Sequence, residues 1–295
     1  MQRPRARIRS PVGVPVTQAV PGSRASGAPI LAVNDIVKRF GDGAEALLAV
    51  DGVSFDVGEG EFVSLIGPSG CGKSTLFNII GGLVADYDGR IEVDGESVSG
   101  THAAFGMVFQ DESAFPWRSV IDNVALPMEL AGVAPDVRRD RAEAALAQVG
   151  LATAARLRPR ELSGGMAQRA ALARALVGDP PVLLLDEPFS ALDALTREEF
   201  DAELQRLWLE RQRTVVFVTH SVAEAVALAD RVIVMTPRPG RVSRVVEVGL
   251  PRPRPVVVTA DPRAATVAAE VRDALASVHA LELRPWSEAS EVGAA

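Results

Sequence analysis

Nine residues restrict this chain more than any others: GPSGCGKST, Gly67 to Thr75, lodged between the apolar run FVSLI and the helix-patterned TLFNII. A strand that turns into a helix through so glycine-rich a loop aims successive backbone N–H groups inward, where the helix adds the positive end of its dipole. Gly70 and Gly72 permit the curl. The product is a nest for phosphate. Its G-x-x-x-x-G-K-S spacing predicts that Gly67, Pro68, Ser69, Gly70, Cys71, Gly72, Lys73, Ser74 and Thr75 surround nucleotide phosphates. Residue usage agrees, because only two lysines, Lys38 and Lys73, stand against a large excess of arginine. A compact ammonium fits between β- and γ-phosphate oxygens where a planar guanidinium crowds them. Ser74 is expected to offer its hydroxyl oxygen to Mg²⁺. Cys71, the sole cysteine, sits at a helix start that favours thiolate, so alkylation is expected to inactivate the protein unless nucleotide covers the loop.

Two further strand ends carry chemistry. LLLDEPFSALD leaves adjacent carboxylates at the end of a buried strand, an expensive placement unless a cation or a reaction uses them. Asp186 is expected to hold Mg²⁺ through water, and Glu187 to orient or deprotonate an attacking water. Pro188 then breaks the strand. In VFVTHSVAEAV, His220 ends another apolar strand, and its offset of 34 positions from Asp186 places it on the neighbouring strand, facing the same phosphate edge. Ser221 and Glu224 follow with capping-box spacing. His102 and His279 have no comparable setting.

A second glycine turn, LSGGMAQR, opens a helix at Ser163, Gly164 and Gly165. It offers a hydroxyl, N–H groups and a positive dipole end to an anion. One nucleotide already has its nest. The second turn therefore suggests a phosphate presented by another copy, with two chains packed head to tail and each completing the other's site.

Composition narrows the partners. The net charge is −7, yet the first thirty residues hold five arginines and no acid, so the remaining body is more acidic still. Such a body disfavours nucleic acid, which is held by clustered Lys and Arg. No apolar run approaches the roughly 18 to 20 residues that cross a bilayer, so any membrane role is borrowed from a partner. A single cysteine excludes an internal disulfide and fits a reducing compartment.

Along the chain, residues 1–30 mix Arg, Pro, Ser and Gly and read as a disordered tail. GVSFDVGEGEFVSLIG and GRIEVDGESV read as strand–turn–strand units, the second turning at Asp94-Gly95. Ala142, Ala145, Leu146 and Val149 share a helix face that stops at Gly150. PVLLLDE and TVVFVTH are continuous apolar runs, as in strands covered on both faces. The reading is α/β: a mostly parallel sheet with an antiparallel β portion early and a helical insertion in the middle.

Together GPSGCGKST, LLLDE, LSGGMAQR, SALD and VTH resemble the Walker A, Walker B, signature, D-loop and H-loop of ABC transporter ATP-binding subunits. The resemblance spans about residues 31–245, with a helical subdomain at about 111–165, and leaves 246–295 as a C-terminal extension. It implies a P-loop NTPase (ABC ATPase) fold with a RecA-like sheet, and a dimer sandwiching two ATP molecules. The signature of one copy would touch the γ-phosphate held by the other. It also implies that Gln110 senses Mg²⁺ and the attacking water, that Phe40 stacks on adenine, and that the D-loop residue Asp193 belongs to the nucleotide site. The stretch after Gln110, with Phe115, Pro116 and Trp117, is similar to importer ATPases of the nitrate, sulfonate, taurine and bicarbonate group. It would help form the cleft for a permease helix. VGLPRPRPVVV and a helix capped by Asp261 suit that group's extension. The implied setting is peripheral, on the cytoplasmic face of the inner membrane, with permease subunits and, indirectly, an extracytoplasmic solute-binding protein. Ser221 stands where Asp usually follows the histidine, and Ala167 replaces a longer polar residue; neither removes a phosphate ligand. A soluble ABC-type clamp is the alternative, although two cassettes or a long coiled coil would be expected for it.

Overall fold

The computed structural model describes residues 27–43, 46–111, 113–190, 192–255, 257 and 260–282. Residues 1–26 of the expected tail lie outside the described residues.

Strands β1 (Leu31–Phe40), β2 (Leu47–Val57), β4 (Asp88–Val93) and β5 (Glu96–Val98) form an antiparallel sheet in the order β2-β1-β4-β5. The β4–β5 turn is at Asp94-Gly95, both with positive φ (52° and 76°), as a two-residue hairpin requires. A second sheet has the order β10-β9-β3-β8-β7-β6, built from β3 (Phe62–Ile66), β6 (Phe105–Val108), β7 (Val182–Asp186), β8 (Thr214–Val218), β9 (Arg231–Met235) and β10 (Val242–Glu247). Only β10 runs antiparallel to its neighbour. Strands β3, β7, β8 and β9 are buried at every position, which is why β3, β7 and β8 read as mainly apolar runs.

One expectation is corrected here. The two strands of GVSFDVGEGEFVSLIG are not partners: β2 pairs with β1, whereas β3 pairs with β8 and β9. The turn between them crosses from one sheet to the other. It is fixed by Glu61, whose carboxylate takes the Gly58 N–H at 2.8 Å and the buried Arg231 guanidinium. A strand–turn–strand pattern says nothing about which sheet each strand joins.

Helix α1 (Lys73–Ile80) and the antiparallel sheet share one buried cluster with one face of the parallel sheet, through Val33, Phe55, Leu65, Leu76, Phe77 and Val216. The opposite face carries a larger cluster under α2 (Val120–Leu130), α3 (Pro135–Gln148), α4 (Gly164–Leu176), α5 (Ala194–Arg211) and α6 (Val222–Leu228). Ala142, Ala145, Leu146 and Val149 are buried there, and Gly150 follows at φ 71°. Helix α7 (Pro262–Glu282) starts where Asp261 accepts the Arg263 N–H. Its Ala264, Ala268, Val271 and Ala274 join the same cluster, so the C-terminal helix shares the main core.

Candidate active site

Parallel register aligns the functional strand ends. Leu65 pairs with Val218, Asp186 with Val218, and Val108 with Leu185. Gly67, Thr219, Glu187 and Phe109 therefore emerge along one edge, the usual ligand edge of such a sheet.

The loop from Gly67 is held by its own chain. Gly70 and Gly72 have φ of 72° and 104°, and a Cβ on Gly72 would lie 2.8 Å from the Ala49 carbonyl oxygen. No other residue type fits. Lys73, 6% exposed, donates to the Gly67 and Pro68 carbonyls at 2.9 and 3.0 Å. Behind the loop, Arg238 donates to the Gly70 carbonyl at 3.1 and 3.2 Å. Ser69 and Ser74 are exposed, Pro68 is buried and Thr75 is half-buried.

Cys71 overturns the thiolate expectation. It is 1% exposed and packs in the core. Burial pushes its thiol above the ordinary range, only partly opposed by the Lys73 ammonium. Desolvation outweighs the helix dipole here because the side chain points into the apolar cluster rather than into the nest.

Asp186 is buried and accepts from the Ser74 hydroxyl, while its Oδ1 is buried without a partner. Burial, with the neighbouring Glu187 charge, raises its carboxyl; Ser74 and Lys73 act the other way. A buried orphan oxygen beside an exposed hydroxyl suits Mg²⁺, which takes one or two protein ligands and keeps water and phosphate for the rest. No group of three or more His, Cys, Asp or Glu that could hold a metal alone occurs among the described residues.

Glu187 adopts φ 43° and donates its N–H to the Val218 carbonyl at 2.9 Å. This left-handed step swings its side chain out of strand alternation. Its Oε2 lies 3.1 Å from His220 Nδ1. His220 is itself more than half exposed. Gln110 is exposed two residues beyond β6.

The remaining predicted residues lie elsewhere. Ser163 and Gly164 are exposed at the start of α4. The Ser163 oxygen accepts the Met166 N–H at 3.3 Å, which leaves its hydroxyl proton available for an acceptor outside the helix. Helix α4 packs on α2, α3 and β6, whereas α1 packs on β2, β7 and β8. Gly165 lies against Thr196 and Phe200 of α5. Asp193 caps α5 with both oxygens, taking the Thr196 N–H at 3.0 Å and hydroxyl at 2.7 Å, and these bonds lower its carboxyl. Phe40 is 44% exposed at the end of β1, with the Lys38 ammonium 4.8 Å from its ring centre.

Three features were not found from sequence. The expected Ser221–Glu224 capping box is only half made: Ser221 accepts the Glu224 N–H, but Glu224 instead takes the Thr219 hydroxyl at 2.5 Å and faces Arg197 at 3.7 Å. Ser221 N–H donates to Thr219 at 2.9 Å, so both neighbours of His220 are tied down. Asn123, 4% exposed, bonds the Phe115 N–H at 2.7 Å and carbonyl at 3.1 Å. Beside that brace Trp117 is 67% exposed, its ring tilted at 54° to that of Phe115 with the centres 5.1 Å apart. Nearby, a cleft of about 500 Å³ between β6 and α2 is lined by Phe105, Met107, Phe109, Leu126 and Met128. An Asn eight positions from the aromatic it braces leaves no periodic trace.

Residues 50–190 match the model of the ABC transporter family. The chain is 52% identical over 194 residues to the taurine import ATP-binding protein TauB of Rhizobium johnstonii, covering 66% of this chain and 74% of that protein. It is 48% identical over 239 residues to the aliphatic sulfonates import ATP-binding protein SsuB of Cupriavidus necator, covering 80% and 75%. Among solved structures, a dimeric ATP-binding cassette in a post-hydrolysis state bound to ADP and Pi superposes with a TM-score of 0.66 at 34% identity, over 74% of this chain and 98% of that one. Phosphate loop, paired carboxylates and histidine thus meet on one sheet edge in a chain that is 44% and 48% identical to aliphatic sulfonates import ATP-binding proteins over the stretches they share, and the chain belongs to the ATP-binding subunits of ABC transporters, as an ATPase of an import system.

Proposed function

We propose that this chain powers the import of a small solute of the sulfonate, taurine or nitrate kind, working as a head-to-tail homodimer beneath permease subunits on the cytoplasmic face of the membrane. An extracytoplasmic binding protein would deliver the solute. The carrying observation is the 48% identity to an aliphatic sulfonates import ATP-binding protein across 80% of the chain. The exposed Phe115–Trp117 pair and the apolar cleft beside it supply a docking surface for a permease helix. No helix among the described residues is long and apolar enough to cross a membrane. Residues 31–245 form the cassette in this reading, and 246–295 its extension.

The loop residues Gly67 to Thr75 hold the phosphates of ATP and Phe40 its adenine, while the partner's copy of Ser163–Gly165 closes on the γ-phosphate. Ser74 and Asp186 would hold Mg²⁺, with Gln110 beside it; the ion supplies charge neutralisation as negative charge builds on the phosphates. Glu187 takes a proton from the water that attacks the γ-phosphorus; the bond to the bridging oxygen breaks, and ADP and phosphate leave. His220, held to Glu187, donates to the γ-phosphate oxygens. Closure on ATP and reopening after hydrolysis drive the permease between its two accessible states.

The experiment is growth of a strain lacking this chain. Loss of growth on taurine or an alkanesulfonate as sole sulfur source, or on nitrate as sole nitrogen source, with growth on sulfate and ammonium intact, identifies the solute. Unaltered growth on all of them removes the proposed substrate class.

A further inference from the structure

The PRPRP segment, 251–255, ends in an arrangement that neither the fold nor nucleotide binding requires. The side chains of Arg252 and Arg254 are both buried, and both guanidiniums reach the Asp230 carboxylate. Buried guanidiniums need hydrogen-bond acceptors as well as a carboxylate. Among those they find are the carbonyls that end α6. Arg254 Nη1 donates to Val226 O at 3.1 Å and to Ala229 O, and Arg252 Nη2 donates to Leu228 O. Orphan carbonyls and the negative end of a helix dipole are what such cations satisfy.

The segment is anchored on its other side to α5. Gln205, 3% exposed, takes the Arg254 N–H and donates to the Arg254 carbonyl at 2.9 Å, pairing with its backbone as a strand would. The Arg252 guanidinium lies 4.0 Å from the Trp208 ring centre, a cation–π contact. Asp230 in turn receives the Phe62 N–H at 3.1 Å, so the clamp reaches the strand that leads into the phosphate loop.

Helix α6 has seven residues, far below the length at which a helix holds itself together in water. Its orientation is therefore set at its ends. Thr219, Glu224 and Arg197 secure one end, beside His220; the two arginines secure the other. We propose that Arg252 and Arg254 are positioning residues for ATP hydrolysis: they clamp the far end of α6 to α5 and so fix His220 against Glu187. This rests on the role given above to His220.

The test uses the full-length protein, steady-state ATPase assays, binding of a fluorescent ATP analogue, and hydrogen exchange. In Arg254→Gln, kcat should fall about tenfold or more, as small misplacements of a reacting group do, while affinity for the analogue stays within about twofold. Exchange should accelerate in peptides covering 219–229 and not in those covering 67–80. Arg254→Lys, which keeps a donor for the helix-end carbonyls, should recover part of kcat. A kcat within about twofold of the parent, or equal losses of kcat and ATP affinity, overturns the clamp. Should Arg254→Gln fail to fold, Arg252→Gln and Arg254→Lys carry the same comparison, and unchanged kcat in both overturns it. His220→Ala separates the two levels: full turnover there sinks the role of His220 itself, whereas its loss beside an unaffected Arg254→Gln sinks only the clamp.

Discussion

The two glycine turns of this chain are built on opposite terms. At the phosphate loop, the chain itself dictates every feature: Gly72 needs φ 104° and has a carbonyl 2.8 Å from where a Cβ would stand, and Lys73 is buried on loop carbonyls. At the signature turn, Gly164 has no positive φ and nothing within 4 Å of a Cβ. Its own fold would accept alanine. Any restriction on that position would have to come from outside the chain, as the proposed head-to-tail dimer requires. The loop is finished when the chain folds; in that proposal the signature is finished when a second copy arrives.

Glu187→Gln should sharpen that contrast most. Removing the proposed base should lower hydrolysis about 10²–10⁴-fold, with ATP still bound. Closed dimers should then accumulate on size exclusion, and amide exchange at 163–167 should slow in them while staying fast in the nucleotide-free protein. A trapped dimer whose signature exchanges as fast as before would break the comparison.

Alanine at each glycine separates the two turns next. Gly72→Ala forces a strained φ and a clash, together about 1–3 kcal/mol, and should abolish ATP binding in the isolated chain. Gly164→Ala should melt within a few degrees of the parent and bind ATP normally, yet lose turnover about tenfold. Normal turnover in Gly164→Ala would show that nothing presses on that turn from outside.

How legible this was follows the same division. GPSGCGKST, LLLDE and LSGG could be read because their chemistry is local: a nest needs consecutive N–H groups, and a strand end needs its neighbours only for register. The β7–β8 pairing that brings His220 to Glu187 followed from two apolar runs and their spacing. β9, RVIVM, is mostly apolar like its neighbours but carries no chemistry that would single it out. The sheet crossing after β2, the burial of Cys71, the Thr219–Glu224–Arg197 ties and the two clamp arginines were illegible for one reason: each joins residues far apart in sequence through packing, which leaves no period. Arg252 and Arg254 stand in a proline-rich run in which nothing local marks their side chains as buried.

Cys71 offers a smaller, direct check on the loop side. With the thiol buried and raised, alkylation by iodoacetamide at pH 7.5 should be slow with or without MgATP, speeding up only in denaturant. Rapid modification that MgATP blocks would return the side chain to the nest and weaken the picture of a loop sealed by its own chain.

The smallest effect probes the ground between the two turns. Helix α5 runs from Asp193, passes Gly165 at Thr196 and Phe200, and meets the His220 side through Arg197 and Glu224. One turn beyond Arg197, Asp201 is 4% exposed with an oxygen that has no partner. Burial, then the Glu224 charge, lifts its carboxyl to about 8 despite the nearby Arg197. A raised acid is protonated in the native state and ionised in the unfolded state between the ordinary carboxyl range and that value, so the unfolded state binds fewer protons there. Stability from this group is full at low pH, declines as pH rises towards 8, and levels off above. Asp201→Asn removes the titration. It should match the parent near pH 4 and exceed it at pH 8 by about 1–3 kcal/mol, a Tm difference on the order of 2–8 °C. Parallel Tm curves for the two proteins across pH 4 to 8 would mean that Asp201 ionises freely and that α5 meets the catalytic side without a buried acid between them.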